Sequence, residues 1–189
     1  MPICFDLNEQ KQKYNCNIYF ETGLWNVARE ETSLCQALKL GFDKCASVEI
    51  NGDFIDIASL KFRDQIAENK LKLYEGDSKN LSEYLEDLRH GLTNDDRILF
   101  FLDSHGSGHG CPLIEELESI KNLNRKDHII MIDDVRIIRD CVWGDPKYEE
   151  YRGGGFEPIL KEKIKEINKD YQFDYLKGHQ DNDVLVCYL

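Results

Sequence analysis

No apolar run in this chain is long enough to cross a membrane, and no basic segment followed by an apolar stretch opens it. A spanning helix takes about 20 consecutive apolar residues, so neither a membrane anchor nor a secretory leader is expected. Basic residues are scarce too. The 24 Lys and Arg stand against 36 Asp and Glu, a formal net charge of −12. Nucleic-acid binding relies on clustered Lys and Arg that neutralise phosphates, so neither nucleic acid nor membrane is expected as a partner. Cysteines number seven, an odd count without a CxxC pair. Cys45, Cys141 and Cys187 lie in or beside apolar runs, where a free thiol behaves as a small hydrophobe. That usage fits a reducing compartment, and a cytoplasmic location is expected. Internal repeats, low-complexity tracts and a second domain are absent from the pattern, so residues 1–189 read as one domain large enough to bury a core without staples.

What the chain does contain is a series of acids, each placed where a short apolar run ends. Glu21 follows Asn17 to Phe20, Glu49 follows Cys45 to Val48, Asp77 follows Leu71 to Tyr74, and Asp103 follows Ile98 to Leu102. A fifth step reaches Asp133 and Asp134 after His128 to Ile132. The runs predict strands at 17–21, 45–50, 71–75, 97–102 and 128–132. Helices are predicted near 25–40 and at 53–68, 79–90 and 112–122. Ile55, Ala58, Phe62 and Ile66 recur at helical steps, as do Leu81, Tyr84, Leu85 and Leu88, with Ser78 as a candidate N-cap. Near-continuous apolar strands alternating with helices indicate a parallel sheet covered on both faces. The carboxyl ends of its strands then line a crevice, which would carry a row of carboxylates.

Beyond Asp134 the period is lost. Residues 142–155 hold turn formers and the aromatics Trp143, Tyr148 and Tyr151, either to stack on a sugar ring or to fold the loop onto the sheet. A helix is predicted from Pro158 to about Asn168, then strands at 171–176 and 183–188. The short link between them permits only an antiparallel pair. An antiparallel seventh strand beside a parallel sheet makes the chain resemble the class I S-adenosylmethionine-dependent methyltransferases. The expected fold is therefore α/β and Rossmann-like, a mostly parallel seven-stranded sheet with an antiparallel C-terminal strand and helices on both faces.

The resemblance implies roles for particular residues. Tyr19 to Trp25, with Glu21, Thr22 and Gly23, resembles the first motif of that family, where glycine lets backbone pass close to the cofactor; a lone glycine is also what a tight turn needs. Glu49, with Ile50 beside it, matches the acid that accepts from both ribose hydroxyls. Gly76, Asp77 and Ser78 resemble the adenine-binding third motif, although Asp77 could instead cap the following helix. Asp103 opens Asp-Ser-His-Gly-Ser-Gly-His-Gly, and with Asp133 and Asp134 it forms a set of three carboxylates. Like charges so placed raise one another's pKa, and a hard cation, Mg²⁺, relieves that. The pattern resembles the macrocin (TylF-like) metal-dependent sugar O-methyltransferases, and Cys111 to Leu117 looks like the sequence after their fourth strand. Motif-level likeness spans about residues 17–140. It implies S-adenosyl-L-methionine and Mg²⁺ as cofactors and a small-molecule or glycan acceptor.

Asp103 and His105 are the candidate catalytic residues, His105 as general base or as a side chain orienting a ligating carboxylate. His105, His109 and Cys111 read as zinc ligands match no common spacing. Arg136 and Arg139 would meet an anionic substrate or form ion pairs. Two other readings remain at this stage: a metal-independent methyltransferase, and a non-catalytic nucleotide-binding or interaction module. Association into homo-oligomers or fusion to a glycosyltransferase stays open.

Overall fold

The computed structural model describes residues 3–28, 32–105, 110–140, 150, 153 and 155–189. His109, Cys141, Trp143, Tyr148 and Tyr151 lie outside them. Seven strands form one sheet: β1 Ile18–Thr22, β2 Lys44–Glu49, β3 Leu71–Glu75, β4 Ile98–Leu102, β5 Ile129–Ile132, β6 Gln172–Leu176 and β7 Val184–Tyr188. Their spatial order is β3-β2-β1-β4-β5-β7-β6. The first five are parallel neighbours, and β7 runs antiparallel between β5 and β6. This is the expected architecture, with the terminal hairpin inserted through its second strand.

Helices cover both faces. On one lie α1 Leu7–Lys13, α2 Ser33–Lys39, α3 Gly52–Lys61 and α4 Arg63–Ala67. On the other lie α5 Leu81–Arg89, α6 Leu113–Lys121, α7 Val135–Asp140 and α8 Phe156–Ile167. Alternation along each strand divides the core accordingly. Tyr19, Cys45, Leu99, Phe101, Ile129 and Met131 pack toward the first helices. Ile18, Phe20, Val48, Phe100, Leu102 and Ile132 pack toward the second.

Two local expectations change. Among the described residues the helix foreseen near 25–40 is α2, because the chain leaves β1 with Gly23 at φ +86° and Trp25 at φ +59°, both left-handed. Thr32 then caps α2, its hydroxyl accepting from the Cys35 N–H at 3.4 Å. The cap after β3 is Asp77 and not Ser78. Its carboxylate accepts from the Lys79 N–H at 2.9 Å and opens a 3₁₀ turn over Ser78–Asn80 that leads into α5.

Phe100 lies at the centre of the sheet, fully buried, with its ring 5.8 Å from Phe20 and 5.6 Å from His128. Phe100→Ala should destabilise the fold by about 3–5 kcal/mol. Urea unfolding should show a lower midpoint with an unchanged slope.

Candidate active site

The site is built by strand register. At each strand end the ladder continues for one residue into the loop. The Gly23 N–H bonds Val48 O at 2.9 Å, Gly76 N–H bonds Glu49 O at 2.9 Å, Asp103 N–H bonds Thr22 O at 3.0 Å, and Asp133 N–H bonds Leu102 O at 3.2 Å. The loops after β1 to β5 therefore begin at one level along one edge. Gly23 sits so close to the next loop that a Cβ there would lie 2.3 Å from Asp103 O. Its missing side chain thus serves the packing of two loops.

Glu21 does not reach this edge. It follows Tyr19 onto the α2 face and is fully buried. The hydroxyls of Tyr19 at 2.8 Å, Ser33 at 2.6 Å and Ser47 at 2.9 Å all donate to its carboxylate. Burial raises its pKa, and the hydroxyls hold it down in part. Side-chain alternation, not the loop, decides its orientation, so it ties β1, β2 and α2 together instead of facing a ligand.

Glu49 does lie at the edge, its carboxylate accepting from the Asn51 and Trp25 N–H groups, both at 2.9 Å. Trp25 and Ile50, each 47% exposed, flank it, and Phe54 lies 5.6 Å from the Trp25 ring. Thr22 and Ser78 are buried, while Gly76 and Asp77 are half-buried at the β3 end.

The acids at the β4 and β5 ends are buried, and with them His105. No single group among the described residues gathers Asp103, Asp133 and Asp134. Two groups form instead and share Asp134: Asp103 with His105 and Asp134, and Asp133 with Asp134 and Asp183, the donor atoms of each within 4.8 Å of one another. The split follows from the backbone at Asp134, which takes the left-handed φ of +57° and donates its N–H to Asp133 Oδ1 at 2.8 Å. Successive side chains thereby part. In the first group His105 Nε2 stands 4.0 Å from Asp134 Oδ2. In the second, Arg136 supplies the counter-charge, 2.6 Å from Asp134 Oδ1 and bonded to Asp183. Asp183 also accepts from the N–H groups of Arg136 at 3.0 Å and His179 at 3.1 Å. Arg139 pairs with Glu157 at 2.7 Å, so both arginines are in internal ion pairs. Cys111 belongs to the core and to neither group.

Burial dominates the electrostatics here. It pushes Asp103 well above the usual carboxylate range, with Asp133 and Asp134 adding to the effect. Asp133 rises to about 6, burial again leading and Asp134 and Asp183 contributing. Burial lowers His105 to about 4 despite Asp134, so its imidazole is neutral near pH 7.

Two participants were not singled out from the sequence. Asp183 precedes β7 and reaches this edge because an antiparallel strand brings its amino end there; its Val135 N–H to Asp183 O bond is 2.9 Å. Glu116 is the other. It falls on the apolar stripe of α6 with Leu113, Leu117 and Ile120, and an acid at such a position is a readable signal. Its fully buried carboxylate accepts from the Ser104 hydroxyl at 2.7 Å, and Ser78 donates to Ser104 at 2.9 Å.

No protein-family model matches the chain, and no curated protein matches it in sequence. Solved structures share its fold. PaMTH1, an SAH-bound methyltransferase of Podospora anserina, aligns with a TM-score of 0.54 at 16% identity, over 96% of this chain and 75% of that one. An O-methyltransferase from Bacillus cereus in complex with SAH gives 0.59 at 12% identity, over 97% and 79%. MycE, from the mycinamycin biosynthetic pathway and bound to Mg, SAH and mycinamycin VI, gives 0.58 at 17%, over 96% of this chain and 47% of its own. At such identities the likeness is one of fold, and the fold is the seven-stranded Rossmann-like architecture of these methyltransferases.

Glu116 generates a test of the site's electrostatics. Burial raises its carboxyl from 4.5 to about 7, against the hydroxyls of Ser104, Ser78 and Thr22 and with Glu115 adding to the rise. The folded chain then holds a proton that the unfolded chain releases. This stability is fully present below pH 4.5 and is lost as pH rises through about 7. Glu116→Gln should flatten that part of the decline, read as melting temperature against pH. A slope identical to wild type would remove Glu116 from the account.

Proposed function

We propose that the chain is an S-adenosylmethionine-dependent O-methyltransferase acting on a hydroxyl of a sugar, a glycan or another acceptor with vicinal hydroxyls, assisted by a divalent cation. The observation that carries the reading is Glu49 at the end of β2, flanked by exposed Trp25 and Ile50. A carboxylate offers about four acceptor sites, so two backbone N–H bonds leave it able to accept ribose hydroxyls. The two apolar side chains beside it suit the face of an adenine ring. Gly23, Gly76, Asp77, Ser78 and Asp103 border the same edge and would position the rest of the cofactor.

S-adenosylmethionine would supply an electrophilic methyl group on a sulfonium. An acceptor oxygen would take that methyl group as the S–C bond broke, and a base of the protein would take the hydroxyl proton. Acidic side chains at the β4 and β5 ends fit a cation, but as a mixed donor set. Asp103, His105 and Asp134 combine two carboxylates with an imidazole, which suits Mn²⁺ or Zn²⁺ at least as well as Mg²⁺. When bound, such an ion would lower the pKa of an acceptor hydroxyl and orient it. With His105 among its donors, Asp133 is left as the group to take the proton. The fold is shared with MycE, whose complex holds mycinamycin VI together with Mg.

Calorimetry with S-adenosylmethionine tests the reading directly. Wild type should bind, and Glu49→Ala should weaken binding by about tenfold or more, the effect of losing charge-assisted hydrogen bonds. Absence of heat with the wild type would sink the enzyme assignment. Mn²⁺ should bind more tightly than Mg²⁺, with the preference abolished in His105→Ala. Turnover indifferent to chelator would leave the methyltransferase and remove the ion.

A further inference from the structure

Glu116 has no place in the chemistry above, yet it is bonded to a loop of the crevice. It comes from the first half of α6 and reaches the carboxyl edge of the sheet from beneath. Ser104, one residue past Asp103, donates to Glu116 Oε1 at 2.7 Å. Ser78, one residue past Asp77, donates to Ser104 at 2.9 Å. Ser78 and Glu116 are both buried. One side chain therefore links, through Ser104, the ends of β3 and β4, strands that are not neighbours in the sheet.

A buried carboxyl is a costly choice for packing alone, since an apolar residue of like volume would fill this stripe of α6 as well. Its use is geometric. Hydroxyl donors bind a fixed acceptor in one arrangement, so the relay from Ser78 through Ser104 to Glu116 ties together the elements that carry them. The loops held are those bordering the cofactor edge: Gly23 packs on Asp103, and Asp77 opens the turn that contains Ser78.

We propose that Glu116 is a positioning residue for the cofactor: through Ser104 and Ser78 it locks the loops after β3 and β4 into the arrangement that binds S-adenosylmethionine. The inference rests on the methyltransferase reading for the ligand, not for the coupling of the loops.

The experiment pairs calorimetry with amide hydrogen exchange, both at a temperature well below melting. Glu116→Ala should weaken S-adenosylmethionine binding about tenfold. It should also speed exchange in both loops while core strands keep their protection. Glu116→Gln retains an acceptor for Ser104, and hydroxyls can reverse their role toward its amide, so its affinity should stay within about threefold of wild type. Ser104→Ala should resemble Glu116→Ala, and the double variant should be no worse than either, the sign of a shared network. Variants that lower the melting temperature yet leave affinity and loop exchange at wild-type values would reduce Glu116 to packing and overturn the proposal, as would additive losses in the double variant. A wild type that binds no cofactor sinks the methyltransferase reading instead; loop exchange in Glu116→Ala then decides the coupling by itself.

Discussion

The structure depends on the register of five parallel strands. Because Thr22 lies beside both Val48 and Leu102, and Leu102 beside Ile132, the residues that follow these strands emerge at a common level. Parallel pairing with evenly spaced bonds allows this. Everything at the crevice inherits its position from that alignment: Gly23 against Asp103, Gly76 against Glu49, and the acids of β4 and β5 beside one another. A slip of one residue in β4 would turn Phe100 away from its face and carry Asp103 off the edge.

Given that alignment, burial distributes the charges. A chain with 36 acids can expose most of them at little penalty, yet Glu21, Asp103, Glu116, Asp133, Asp134 and Asp183 are buried. The fold stabilises each differently. Glu21 receives three hydroxyls, Glu116 receives the serine relay, and Asp183 receives Arg136 with two backbone N–H groups. Asp103 and Asp133 are left raised above ordinary carboxylates. Such concentration of perturbed groups at one edge is the usual mark of a chemical site. The neutral imidazole of His105 lies among them as a nitrogen donor.

Much of this was legible beforehand, and the misses share a cause. Apolar runs capped by acids located all five parallel strands, and the short link before Asp183 established the antiparallel pair. The sequence pattern also brought Glu49, Asp103, Asp133 and Asp134 to the crevice. It did not separate Glu21 from them, because the odd or even position of a residue in its strand chooses the face, and that choice overrode the position at a strand's end. Nor did it divide Asp133 from Asp134, which depends on one left-handed φ.

By itself the sequence determined the order of elements, the doubly covered sheet and the edge on which its acids gather, since these follow from local periodicity and chain connectivity. Tertiary structure alone decided which acids share a cluster, that Asp183 joins them from the far end of the chain, and that Glu116 links two loops. The physical reason is that hydrogen-bonding partners such as Ser104 and Glu116, or Arg136 and Asp183, are chosen by side-chain direction and proximity in the folded chain. No periodicity records either quantity.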